Sequence, residues 1–235
     1  MRNAANHRGM DFDDLLQLDH TATTSVFFQL TNEQSLIMAQ SYKKSQKSVL
    51  REDSPQRATT HKGKIRIALE QKLEAAAHQG MRSVILRLGD FFGPKAGNNW
   101  FSQGLVKPNQ PVTSIVNPGA KGIGHAWCYL PDAGETFAQL MDREAELSNF
   151  ERFHFRGHWD KDGSEMIAAI RRAAGNKKIP ERRLSWWLFR LASPFNETLR
   201  EVYATRPLWR TPIELDNTRL VGFIGNDRIH RCRRG

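Results

Sequence analysis

The chain has 235 residues, 39% hydrophobic and 26% charged, the make-up of a globular protein of one or two domains with a real core. Its net charge is +10, but the excess sits largely in residues 171–190 and in Arg228, Arg231, Arg233 and Arg234, without zinc-finger, helix-turn-helix or RNA-recognition aromatic patterns, so specific nucleic-acid binding is not expected. No run of about 18 apolar residues occurs, and the opening MRNAANHRGMDFDD lacks the apolar stretch of a secretion signal, so no membrane partner and a cytoplasmic setting are expected.

Residues 1–48 carry apolar patches at Val26–Leu30 and Leu36–Ala39, each compatible with a short strand or a helix segment. From Lys62 the pattern becomes orderly. Ile65, Leu69, Leu73 and Ala76 recur at spacings of three and four, which predicts a helix whose other faces carry Lys64, Glu70, Lys72 and Glu74. Gly80 supplies the left-handed stop. The next run, Ser83 to Leu88, is too continuously apolar for a half-exposed strand and predicts a parallel strand covered on both faces. It leads into the turn Gly89, Asp90, Phe91, Phe92, Gly93 and Pro94, at the strand end where open parallel sheets bind ligands.

Residues 98–110 read as loop and short helix. The cluster GAKGIG at Gly119 to Gly124 precedes a strand rather than a helix, so it reads as a loop and not a phosphate cradle. His125 to Leu130 predicts a strand, and Pro131 with Asp132 starts a helix that buries Phe137, Leu140 and Met141, with Asp132 as its cap. Arg152 to Arg156 alternates as a strand does. His154 and His158 have HxxxH spacing, but on strand and turn their rings do not converge, and no metal site is expected. Cys128 and Cys232 form neither a disulfide framework nor a cysteine zinc motif. Met166, Ile167, Ile170 and Ala174 form a helical stripe ending at Gly175. Leu184 to Tyr203 is an aromatic-rich helical run assigned to core packing, an exposed share of which would point to dimerisation or a partner segment.

The helix start KGKIR at Lys62, the turn LRLGDFFGP from Leu86, GHAWCYLPDAGETFAQL from Gly124, and the later FHFRGHWDKDG, SPFNETLRE and RPLWRTPIELDN resemble the NAD-dependent epimerase/dehydratase family, the extended short-chain dehydrogenases/reductases. The resemblance covers most of residues 49–225. It implies an α/β fold with a partial Rossmann-like parallel sheet in residues 49–157, where 89–124 reach toward a small, mostly helical substrate domain completed by 158–235. Residues 1–48 are unmatched.

By resemblance, Lys62 is the candidate catalytic lysine on the nicotinamide ribose, Gly89, Phe91 and Phe92 line the cofactor, and Asp90 and His125 meet the substrate. Asp90 in a tight turn and the phenylalanines in the core are the competing structural readings. NAD or NADP is the implied cofactor and a small carbonyl or sugar-like molecule the implied substrate, with a homodimer left open. Two family features are missing. Before Gly63 the only glycine is Gly9, so no glycine-rich pyrophosphate turn opens the chain. The family helix carries Tyr-x-x-x-Lys, where lysine lowers the phenol pKa across one helical turn. Here the tyrosine position is Ala58 if Lys62 is the lysine, or Thr60 if Lys64 is, and residues 46, 133 and 207, four after each of the three tyrosines, are Gln, Ala and Pro. Loss of such an acid/base costs about two to four orders of magnitude in rate, with His61 and Asp90 as candidate substitutes. The expectation is a truncated or catalytically impaired relative, with a non-enzymatic binding remnant as the alternative.

Overall fold

A computed structural model describes residues 26–31, 48–58, 60–94, 99–107 and 109–225. Leu36–Ala39, Gly9 and the basic tail lie outside these residues.

Helix α1 (His61–Ala77) begins where Thr60 Oγ1 accepts the Gly63 N–H at 3.1 Å. Its Ala, Leu, Glu, Gln and Lys content favours a helix, and Gly80, at φ +94°, turns the chain into β3 (Arg82–Arg87). β3 is the middle strand of a parallel sheet between β1 (Val26–Thr31) and β7 (Phe150–His154), with Leu86 opposite Leu30 and Phe153. The ambiguous patch at Val26 is therefore a strand.

The two faces of β3 differ in chemistry. Val84, Leu86 and the following Leu88 join a core with Ala133 and Leu140 of α2 (Leu130–Asp142) and Leu220 and Ile224 of α6 (Thr218–Ile224). Arg87 alternates to the opposite face and pairs with Glu70 of α1 at 2.6 Å. This pair rotates α1 away from the face its apolar spacing predicts. Gly63, Glu70, Leu73 and Ala77 are buried, whereas Ile65 is exposed. A carboxylate can occupy the inner stripe because a guanidinium waits there.

Beyond this sheet lie three small ones. β2 (Ser48–Leu50) runs parallel to β10 (Ile213–Leu215), and β5 (Ile115–Asn117) parallel to β9 (Glu181–Arg183). β4 (Asp90–Phe92) runs parallel to β6 (His125–Tyr129), which is antiparallel to β8 (His158–Asp160). Their shared core includes Leu50, Ile115, Trp127 and Trp209, closed by Ile167 and Ile170 of α3 (Glu165–Ala173). The aromatic run after Leu184 is split around Pro194 into α4 (Trp186–Ala192) and α5 (Glu197–Ala204).

Two local expectations need correction. Asp132 is not the cap of α2: Tyr129 takes that position, and Asp132 lies in the first turn, fully buried. Met141 is exposed rather than buried, because the inner stripe of α2 runs through Ala133, Thr136 and Leu140. Among the described residues, no helix is long and apolar enough to cross a membrane. The architecture is α/β.

Candidate functional site

Asp90 and His125 lie 35 residues apart in sequence and meet across the β4–β6 edge. Asp90 stands three residues beyond Arg87, at the carboxyl end of the central parallel strand, and His125 opens β6. His125 Nε2 is 2.7 Å from Asp90 Oδ2, and both side chains are mostly withdrawn from solvent. In this contact Nε2 is the donor and the carboxylate oxygen the acceptor.

Aromatic rings hold the imidazole in place. It stacks on Trp209 with centroids 4.0 Å apart and planes 7° apart, and leans against Trp127 at 4.8 Å. Trp209 comes from the 3₁₀ turn Arg206–Arg210, which delivers it to the core formed around β6.

A cleft opens on this group, lined also by Asn117, Asp160 and Met166. Two of its polar side chains are committed to local structure. Asn117 Oδ1 accepts the Gly119 N–H, and its amide donates to Glu181. Asp160 accepts from the Gly163 and Met166 N–H groups, tying β8 to the start of α3. His125, positioned by a carboxylate and stacked on an indole, is the group best placed to exchange a hydrogen bond or proton with a ligand in the cleft.

The other sequence-predicted residues are placed differently. Gly89 backs onto β6 so closely that a Cβ there would meet the Ala126 carbonyl oxygen at 2.2 Å, so close backbone packing alone requires glycine. Phe91 packs against the core of β3, α2 and α6. Phe92 turns to the other core and touches Phe101, Tyr129 and His158. Lys62 belongs to α1, and its side chain lies outside the described residues. Thr60 serves as a helix cap, Ala58 packs beside the β6 core, and His61 is exposed. Cys128 is buried, and burial reinforced by Asp132 pushes its thiol far up, away from thiolate chemistry.

Sequence reasoning missed a second charged centre beneath β3. Arg87 donates to both Glu70 oxygens and to the Glu52 carbonyl, and its Nη1 lies 3.4 Å from His154 Nε2. His154 Nδ1 donates to the Leu50 carbonyl at 3.1 Å. Burial first, then Arg87, lowers the His154 pKa to about 3, so the ring is neutral. His158 lies instead 3.8 Å from Asp132, so the two histidines face different neighbours. Among the described residues no cluster of three metal-ligating side chains forms. An arginine inside an apolar strand run was the available sequence signal for this centre.

No family model matches the sequence, and no curated protein matches it. Solved structures do match. A functionally unknown conserved protein from Silicibacter pomeroyi is 16% identical with TM-score 0.58, over 88% of this chain and 62% of that one. A UDP-galactose 4-epimerase is 12% identical with TM-score 0.59, over 85% of this chain and 56% of that one. The dTDP-glucose 4,6-dehydratase DesIV from Streptomyces venezuelae, solved with NAD and TYD bound, is 10% identical with TM-score 0.57, over 88% and 56% respectively. The chain thus spans about three fifths of the length of the structures it matches. These likenesses, with the parallel sheet around β3, make the fold Rossmann-like, of the kind seen in epimerase and dehydratase structures.

Proposed function

We propose that the protein is an NAD(P)-dependent epimerase/dehydratase/reductase-like protein, catalytically impaired, that takes a small carbonyl or sugar-like molecule against Asp90 and His125. The Asp90–His125 pair carries this reading. It stands at the carboxyl end of the central parallel strand, where ligands of such sheets bind, and its histidine lines an aromatic cleft. Nicotinamide is the cofactor class by likeness to the solved epimerases and dehydratases. Impairment follows from the missing phenol: no tyrosine in the chain has a lysine four residues on.

A ligand screen with nucleotide sugars and small sugars, in the presence of NAD(H), tests the site. A compound that binds the wild type should lose about tenfold or more in affinity in His125→Ala, through loss of a charge-supported hydrogen bond. A ligand that binds both proteins equally would place the substrate elsewhere. The alternative, a non-enzymatic binding remnant, is favoured by one observation, the lack of a glycine-rich turn before Gly63. That reading predicts ligand binding that does not depend on any nicotinamide nucleotide.

A further inference from the structure

Helix α4 has one face anchored and one face without cover. On the inner side Trp186 donates from Nε1 to the Pro118 carbonyl at 2.9 Å, and its ring meets Trp100 and Phe189, each at 5.9 Å. On the outer side Trp187, Leu188 and Leu191 are 62%, 50% and 64% exposed. Phe195, at the turn before α5, is 90% exposed. These are four of the seven large apolar side chains exposed among the described residues, and they fall within nine positions of one helix and its turn. A well-anchored helix with large side chains projecting outward is a built surface, because its inner contacts already fix its orientation.

The segment that leads into and through α4 is basic. Residues 171–190 contain seven cations, Arg171, Arg172, Lys177, Lys178, Arg182, Arg183 and Arg190, against one carboxylate, Glu181. All but Arg171 are exposed. Glu181 already pairs with Arg183, at 3.5 Å, and the next acid, Glu197, lies near its own partner Arg200, at 3.3 Å. We propose that α4 and the turn at Phe195 are a membrane-surface anchor: Trp187, Leu188, Leu191 and Phe195 enter the interfacial layer of an anionic bilayer while the flanking arginines and lysines meet its headgroups. Tryptophan, phenylalanine and leucine beside arginine are the composition that lies in such an interface without crossing it.

Charge chooses this occupant over a second copy of the chain. A two-fold contact sets the same patch against itself and would bring these cations toward one another, whereas an anionic leaflet attracts each of them. The expectation of no membrane partner rested on the lack of a spanning segment, which an interfacial helix does not need.

Co-sedimentation of the whole chain with vesicles tests this, using phosphatidylcholine alone or with about one third phosphatidylserine. The chain should pellet with the serine-containing vesicles and bind neutral ones at least about tenfold more weakly. Trp187→Ser with Phe195→Ser should lower affinity about tenfold or more, and Arg182→Glu with Arg190→Glu should abolish the lipid preference. All four positions are exposed, and unchanged thermal melts would show that the variants fold. Three outcomes would overturn the proposal. They are no binding to either vesicle, binding indifferent to the Trp187/Phe195 pair, which is charge adsorption alone, and a wild-type dimer in analytical ultracentrifugation that the same pair of changes converts to monomer.

Discussion

His154 shows how one buried side chain ties stability to pH. Its ring is neutral because burial penalises the charged form and protonating Nε2 would set a second cation against Arg87. The folded pKa, about 3, lies below the ordinary value of 6.5. Between these values the unfolded chain binds the proton and the folded chain does not, so stability rises with pH across this window. The contribution is complete above about 6.5 and is lost as pH falls toward 3. Urea unfolding at pH 7 and pH 5 should show the wild type losing on the order of 2 kcal/mol more than His154→Gln. Equal losses would mean that the ring is charged or hydrated in the folded protein. The stack of His125 on Trp209 belongs to this scale too, and the sequence could not reveal it. A histidine at the start of a strand carries no mark of an indole that arrives 84 residues later from a 3₁₀ turn.

Among the elements, the unit formed by α1 and β3 was the most legible. A cap, a run of good helix formers, a glycine stop and a continuous apolar strand each act locally, so their chemistry can be read without the fold. The face that α1 buries could not be read this way. Periodicity selects the apolar stripe, but Glu70 is drawn inward by Arg87, a long-range pairing that overrides it. Replacing one member of this pair leaves a buried charge alone. Arg87→Met should destabilise the protein by about 3–5 kcal/mol, while Arg87→Met with Glu70→Leu should recover most of that loss. Chemical denaturation of the two single variants and the double variant provides the cycle, and additive losses would argue against the buried pair. In α4 the opposite error applies: an aromatic-rich helix reads as core, yet three of its five large apolar side chains face outward because α4 has one packed face.

Across the whole molecule, the Rossmann-like arrangement was legible from a handful of motifs, because parallel strands buried on both faces and ligand turns at their ends leave strong sequence marks. The placement of the cleft was not. It is assembled largely from β6, the end of β5 and the loop after it, β8, the start of α3 and the 3₁₀ turn at Arg206, and of its residues the sequence marked only His125 as a ligand contact. In the proposed function this cleft is the substrate-side wall, and the missing Tyr-x-x-x-Lys pair is the reason for limited proton transfer. The reading as a nicotinamide-dependent protein therefore rests on whether the nucleotide binds at all. Calorimetric titration of the intact chain with NADH and NADPH bears on this most directly. Saturable binding of at least one of them, with a Kd on the order of micromolar, is predicted; no heat of binding with either nucleotide at about millimolar concentration would contradict it.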